Sequence, residues 1–400
     1  MGAMEEMGAS DPPTTDLERE RAALLNEPAR SGGFFDVDGN RVRLLRDGRE
    51  VFPAMLEAIA HAKREVLLEM YWFQGDKAGL LFRDALAAKA AQGVDVRVSF
   101  DAIGSIGAPW SMWEPLLAAG GQVVEFAPIS PLRHRFRIKA LNQRDHRKIL
   151  VVDESTAFTG GMNIGDPWLP VEQGGQDWRD DAVEVHGPMA SDLRSLFFET
   201  WRREGRTPPP DARKLPRKVS GRIVVLANHH GPKRGIRNSY LKGIRHAKTR
   251  VDITNPYFLP GPLLLAALRA ARRRGVDVRI LIPGINDVWV VSMAMSSIIG
   301  RLLESEVRVF AYQGRVLHAK TGVFDETMAT VGTYNLDPRS RRFNRECNLA
   351  VYDGAFARAV RASFERDLES ATELSLASWK EQPLVHRFLA WLAYPARQFL

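Results

Sequence analysis

Two histidine–lysine pairs carry the chemistry legible in this chain. His146 and Lys148 are followed by Asp153, Gly160 and Asn163; His318 and Lys320 are followed by Asp325, Gly332 and Asn335, all at one constant offset of 172. A lone His-x-Lys says little, because most isolated histidines are satisfied structural ones. A duplicated His-x-Lys-x4-Asp-x6-Gly-x2-Asn is a much stronger signal. The lysines and the amides of Asn163 and Asn335 would present cationic and neutral donors to the non-bridging oxygens of a phosphodiester. Two histidines on opposite sides of one phosphorus can divide the work. One attacks in line through a ring nitrogen and forms a phosphohistidine; the other, protonated, donates to the departing alkoxide and then deprotonates the incoming alcohol or water. The first role needs a neutral ring and the second a charged one, so the pair should titrate apart. Lysines balance the phosphate charge, and the sequence has no obvious carboxylate cage for magnesium or His/Cys set for zinc. Neither a metal nor another cofactor is expected.

The elements carrying these residues must converge. In Asp145-His146-Arg147-Lys148-Ile149-Leu150-Val151-Val152-Asp153 the polar residues lead into an apolar run that reads as a buried strand. Period two puts His146 and Lys148 on one face of it. Leu317-His318-Ala319-Lys320-Thr321-Gly322-Val323-Phe324-Asp325 repeats the arrangement. The duplication reaches further: His61-Ala62-Lys63 returns as His246-Ala247-Lys248, and Gly93-Val94-Asp95-Val96-Arg97 returns as Gly275-Val276-Asp277-Val278-Arg279. Pro53 belongs in the first turn of a helix with an apolar stripe at Met55, Leu56 and Ile59. Strands are expected over 65–71 and 94–100, around a helix over 80–91 ended by Gly93. The second copy predicts a strand over 250–254, a helix over 262–274 with Gly275 at its C-cap, and a strand over 276–283. Such alternation predicts an α/β fold of two lobes, each a mixed β-sheet flanked by helices. The expected units are a mobile arm over 1–35, a first lobe over 36–206, a Pro-rich basic linker over 207–220, a second lobe over 221–374 and a tail over 375–400.

Composition narrows the class. The chain has 400 residues, 45% hydrophobic and 26% charged, which is enough to bury a sizeable core. The single cysteine, Cys347, excludes an internal disulfide and reads as a small buried filler. No apolar run reaches the ~20 residues that span a bilayer. The acidic start (Glu5, Glu6, Asp11) lacks the layout of a signal peptide, so the protein is expected to stay inside the cell. The net charge of +8 is uneven: residues 201–250 hold fifteen Lys/Arg against two acids. A basic block of this kind favours nucleic acid, an anionic membrane or phosphorylated substrates, unless it is simply a solvated surface.

The duplicated motif resembles that of the phospholipase D superfamily, whose mark is a paired HKD sequence. Within it the chain is most similar to bacterial cardiolipin synthases of the soluble type, without N-terminal membrane spans. The likeness runs from about Gly39 to Asp367. It includes Glu69-Met70-Tyr71-Trp72-Phe73, Tyr257-Phe258-Leu259-Pro260 and Asn335-Leu336-Asp337-Pro338-Arg339-Ser340. The resemblance implies two lobes related by a pseudo-twofold axis and sharing one active site. It implies a catalytic set of His146, Lys148, Asp153, His318, Lys320 and Asp325, in which His146 is the nucleophile and His318 the general acid/base. Lys148, Asn163, Lys320 and Asn335 match phosphate-binding positions; Asp153 and Asp325 match structural anchors rather than proton carriers. Asp180 and Glu346 match the acids that orient the histidines. Two departures stand out. Asp145 replaces a frequent Asn and, on a strand, should face away from His146; Thr333 replaces a common Ser and keeps the hydroxyl.

The superfamily holds lipid enzymes and nucleases, and the chain's end favours lipid. Leu384, Val385, Phe388, Leu389 and Leu392 form one apolar stripe after Pro383, with Trp391 and Tyr394 nearby. An interfacial amphipathic helix fits this pattern, against a helix packed on the second lobe. Phe136 and the 288–299 segment are candidates for the mouth of an acyl-chain groove, with a core helix as the alternative for the latter. The implied reaction is phosphatidyl transfer: two phosphatidylglycerol molecules give cardiolipin and glycerol. The expected partners are phospholipid substrates and an anionic membrane surface, with no nucleic acid and no obligate protein partner. The expected location is peripheral, on the cytoplasmic face of a bacterial membrane. The alternatives are a nuclease or phosphodiesterase using the same residues, which would bind nucleic acid with strong salt dependence, and a non-catalytic membrane scaffold.

Overall fold

The computed structural model describes residues 32–130, 142–214, 221–228, 235–285 and 289–381. Among them two mixed sheets of eight strands each form the frame. The first holds β1 (Phe35–Val37), β2 (Asn40–Arg46), β3 (Glu65–Met70), β4 (Asp95–Asp101), β5 (Gln122–Phe126), β6 (Ile149–Val152), β7 (Thr156–Gly160) and β8 (Asp181–His186). The second holds β9 (Ile223–Asn228), β10 (Arg250–Thr254), β11 (Asp277–Pro283), β12 (Arg308–Tyr312), β13 (Thr321–Phe324), β14 (Met328–Gly332), β15 (Glu346–Val351) and β16 (Ala371–Leu374). Their orders are β1-β2-β8-β7-β6-β3-β4-β5 and β9-β15-β14-β13-β10-β11-β12-β16. Seven strands thus correspond one to one, and each sheet adds one strand at an opposite edge. The sequence duplication is a duplication of topology.

Only β3-β4-β5 and β10-β11-β12 pair in parallel. Parallel neighbours need crossovers. Helices Lys77–Ala91 and Pro262–Arg273 provide the first crossover in each lobe, and helix Trp289–Leu303 the second in the C-terminal one. The central strands read Val66-Leu67-Leu68, Ile149-Leu150-Val151 and Ile280-Leu281-Ile282, apolar on both faces because both are covered. The first helix, Asp47–His61, begins earlier than expected, so Pro53 sits inside it rather than in its first turn. Two features draw the start back. The Glu50 carboxylate accepts the Arg46 N–H at 2.8 Å, and Gly48 packs on the Trp168 carbonyl, where a Cβ would come within 1.9 Å.

Each lobe has its own outer core, one around Phe52, Phe82 and Trp113 and the other around Tyr240, Leu268 and Ile298. A third cluster belongs to both. It joins Phe197, Phe198 and Trp201 of helix Met189–Arg203 and Phe356 and Val360 of helix Gly354–Leu368 to Val183, Val185, Val331 and Leu349 of the two sheets. Helix Met189–Arg203 covers its own sheet and also touches β9; helix Gly354–Leu368 covers the other sheet and touches β2. This mutual overlap fixes the lobes against each other.

Three expectations need adjustment. Phe35 opens β1 instead of ending the arm. Residues 375–381 are not a free tail: helix Leu376–Lys380 docks on helix Trp289–Leu303, with Trp379 Nε1 donating to the Ser296 carbonyl at 3.3 Å. In helix Trp289–Leu303, Met295, Ile298 and Leu302 are core and Met293 is buried, so burial inside the lobe takes the place of a groove mouth. The amphipathic stripe over 384–394, Phe136 and residues 1–31 lie outside the described residues.

Candidate active site

Neither motif histidine is held by its own lobe alone. Asp145 and Arg345 form an isolated parallel bridge, and so do Arg179 and Leu317. The His146 N–H donates to the Arg345 carbonyl at 3.0 Å, and the His318 N–H to the Arg179 carbonyl at 2.7 Å. In return Arg345 N–H reaches the Arg144 carbonyl and Arg179 N–H the Val316 carbonyl, each at 2.9 Å. These two stitches bring each histidine beside an acid from the opposite lobe. His146 Nδ1 lies 3.0 Å from Glu346 Oε2, and His318 Nδ1 lies 2.6 Å from Asp180 Oδ2. With Nδ1 engaged, Nε2 is the ring nitrogen left for chemistry in both.

The two pairs are electrostatically unlike. Burial, with Lys148, Lys320 and His318 adding, holds the His146 imidazole well below its usual range. His318 is lowered by burial and Lys320, while Asp180 pulls the other way. Asp180 is lowered: burial opposes its charge, but His318 and Lys320 outweigh it. Glu346 is pushed up to about 7 by burial, against the pull of Lys148. Burial likewise brings Lys148 down to about 7. Both rings are thus shifted toward the neutral form, but only His318 faces an acid held ionised, which pulls its basicity back up; the acid beside His146 is itself raised.

The surrounding shell repeats in outline and differs in chemistry. Each lysine folds back onto its own motif: Lys148 Nζ donates to the His146 carbonyl at 2.8 Å, and Lys320 Nζ donates to that of His318. Tyr71 stands edge-on to His146 at 4.8 Å and lies under Lys148. Around His318 stand Trp168 and Trp178, 5.5 and 6.0 Å away, and Trp168 Nε1 donates to Asp180 Oδ2 at 3.1 Å. Thr333 Oγ1 donates to Glu346 Oε2. Its counterpart in the repeat is Gly161, where a Cβ would meet Asp180 Oδ1 at 2.1 Å. Two residues beyond these lie Asn163, whose side-chain Oδ1 accepts the Trp72 N–H at 3.1 Å, and Asn335, which is buried. Arg339, on helix Pro338–Arg342, is close enough to His146 to depress its basicity.

Of the residues singled out from sequence, the histidines, the lysines, Asp180 and Glu346 come together, and both asparagines sit on the loops that line these pairs. Asp153 and Asp325 do not join them. They lie beyond the far ends of β6 and β13, about seven residues or roughly 20 Å of strand away. Asp153 accepts the N–H groups of Lys63, Arg64 and Glu65 at 2.9, 2.7 and 3.0 Å. Asp325 accepts those of Lys248, Thr249 and Arg250 at 2.9, 2.9 and 3.0 Å. Both anchor the loop that feeds the neighbouring strand. Asp145 turns away from His146, with Oδ2 3.0 Å from Thr200 Oγ1. Sequence reasoning missed Trp168, Arg179, Arg345 and Arg339. The recurrence of an arginine before each orienting acid, Arg179-Asp180 and Arg345-Glu346, was the available signal. Among the described residues no group of three or more His, Cys, Asp or Glu side chains is arranged to hold a metal ion. No helix among them is long and apolar enough to cross a membrane.

A family profile described as "Cardiolipin synthase, PLD-like domain" matches residues 55–171 and 240–368. The major cardiolipin synthase ClsA of Bacillus subtilis is 34% identical over 87% of this chain and 73% of its own length. Cardiolipin synthase A of Pseudomonas putida is 36% identical over 90% of this chain and 75% of its own. The crystal structure of phosphatidylserine synthase from Haemophilus influenzae superposes with a TM-score of 0.72 across 96% of this chain and 100% of that one; at 15% identity the likeness is one of fold. The chain belongs to the cardiolipin synthase family of phospholipase D-like phosphatidyltransferases.

Proposed function

We propose that this enzyme makes cardiolipin from two molecules of phosphatidylglycerol through a phosphohistidine on His146. His146 Nε2 attacks the phosphorus of the first lipid as the P–O bond to its headgroup glycerol breaks, and His318 gives its Nε2 proton to the departing alkoxide. A hydroxyl of the second phosphatidylglycerol then returns a proton to His318 as its oxygen bonds to phosphorus and the P–N bond breaks. Lys148, Lys320, Asn163 and Asn335 hold the non-bridging oxygens throughout. One phosphodiester replaces another, so no nucleotide is needed. The observation carrying this reading is the crossed arrangement of the two His–carboxylate pairs, in which His318 faces an acid held ionised and His146 one that is raised.

The purified full chain on phosphatidylglycerol vesicles in EDTA should release glycerol and cardiolipin in equal amounts. Quenching in alkaline detergent, in which a phosphohistidine survives, should trap labelled lipid phosphate on the wild type and none on His146→Ala. A folded, vesicle-bound enzyme that forms no cardiolipin would defeat the reading; label persisting on His146→Ala would exchange the histidines' roles. The proposal extends to peripheral binding at the cytoplasmic face of a membrane, with the net charge of +8 as its support. An alkaline carbonate wash should release the protein from membranes. Retention in the pellet would overturn the peripheral assignment.

A further inference from the structure

Behind His146, on the side turned away from its ring, two carboxyls meet one hydroxyl. Thr200 Oγ1 lies 2.9 Å from Glu69 Oε1 and 3.0 Å from Asp145 Oδ2. All three residues are buried, with exposures of 0%, 1% and 2% for Thr200, Glu69 and Asp145. A hydroxyl has one hydrogen, so it can donate to only one of these oxygens. The other contact is favourable only if the carboxyl brings a proton of its own. With both acids ionised, oxygen lone pairs would face each other at hydrogen-bond distance in a medium where that is costly.

The neighbours decide which acid holds the proton. Asp145 accepts the Arg147 N–H at 3.3 Å and sits 3.7 Å from Arg345 Nε. Burial opposes its charge, yet Arg345 and Arg147 prevail and keep it low. Glu69 is raised well above the carboxylate range by burial, then by the charge of Asp145, against Arg147 and Arg345. The other groups facing this cluster are Glu199, on the helix that carries Thr200, and the Cys347 thiol, which burial pushes up to about 12 and leaves neutral.

We infer that Glu69 is a protonated positioning residue, whose carboxyl proton and the Thr200 hydroxyl tie β3 and helix Met189–Arg203 to Asp145 and so fix the backbone that presents His146. The inference rests on the transfer reaction proposed above for its consequence, though not for its geometry. It also accounts for Asp145 at a position where an uncharged amide would serve: with one proton shared, the carboxyl pair has the hydrogen-bonding pattern of an acid beside an amide.

Infrared spectroscopy of the full chain carrying carbon-13 carboxyl-labelled glutamate tests the proton directly. At neutral pH the wild type should show one more buried protonated carboxyl than Glu69→Gln, a band in the difference spectrum over the contribution Glu346 makes to both. A wild-type minus Glu69→Gln difference spectrum without that band overturns the assignment. These outcomes do not depend on lipid chemistry, so they are distinguishable from failure of the transferase reading. For positioning, Glu69→Gln keeps the neutral shape and should hold kcat within about threefold, whereas Glu69→Leu should lose about ten- to a hundredfold in kcat with KM little changed. A Glu69→Leu protein with an unaltered far-ultraviolet spectrum and wild-type kcat would show that the proton is there but positions nothing. If Glu69→Leu fails to fold, Glu69→Gln decides: a drop in its kcat beyond about tenfold overturns the role.

Discussion

The two halves of the site descend from one repeat and are held by opposite means. Behind His318, Leu317 and Ala319 pack with Leu281, Phe310, Tyr312 and Phe364. Behind His146 the same two positions are Asp145 and Arg147, inside the charged cluster of Glu69, Glu199 and Arg345. The arginines preceding the orienting acids diverge in the reverse sense. Arg179, fully buried, has Asp367 at 2.8 Å, Asp181 at 2.8 and 3.0 Å and the Ser363 hydroxyl at 2.8 Å; burial opposes its charge, but Asp181, Asp367 and Asp47 prevail and raise its pKa. Arg345 has acids only at 3.5 and 3.7 Å, and burial with the nearby Arg147 lowers it to about 10. A repeat can keep its reacting atoms in register while everything behind them is rebuilt. Here the rebuilding matches the division of labour: a clamped ion pair for the proton donor, and a half-neutral cluster for the group that must attack uncharged.

The sharpest test of that difference is charge removal. Asp180→Asn should lower kcat by about a thousandfold, because His318 loses the carboxylate that sustains its proton. Glu346→Gln should cost only about tenfold, since a carboxyl raised to about 7 is only about half ionised at neutral pH. Equal losses in cardiolipin formation would erase the distinction between the halves. Next comes stability. Asp367→Ala strips Arg179 and Arg46 of a shared partner at 2.8 and 2.5 Å and should cost about 3–5 kcal/mol in urea unfolding. Glu199→Ala, at the looser arginine, should cost about 1 kcal/mol or less.

Thr333→Val leaves Glu346 Oε2 without its hydroxyl donor and should destabilise by about 1–3 kcal/mol, with Thr333→Ser close to wild type. The smallest effect concerns pH. Lys148 loses its positive charge above about 7 and Glu346 gains a negative one over the same range. Both changes make the site less attractive to an anion as pH rises. Competitive inhibition by inorganic sulfate, a dianion throughout this range, should weaken by up to about tenfold between pH 6 and 8. A constant inhibition constant across that window would place both titrations elsewhere.

Much of this was legible from residue order because it is local or repeated. The offset of 172 exposed both motifs, and apolar runs such as Ile149-Leu150-Val151-Val152 announced their strands. Glycine endings at Gly93 and Gly275 marked two crossover helices, which end at Ala91 and Arg273. Pro53 misled because its tolerance in a first turn is general, whereas the helix start was drawn back by Trp168, far along the chain. Which acid serves which histidine was not deducible from spacing, since it depends on how the lobes dock. The same holds for the Arg179–Asp367 pair, 188 residues apart. Asp153 and Asp325 show the converse hazard: an invariant spacing within a repeat can mark a turn anchor as well as a reacting group.

The stitched segments have a further consequence for how this enzyme fails. Sliding one lobe by a single ångström would leave the outer core of each lobe intact yet strand each imidazole without its acid. Inactivation in mild denaturant should therefore run ahead of unfolding.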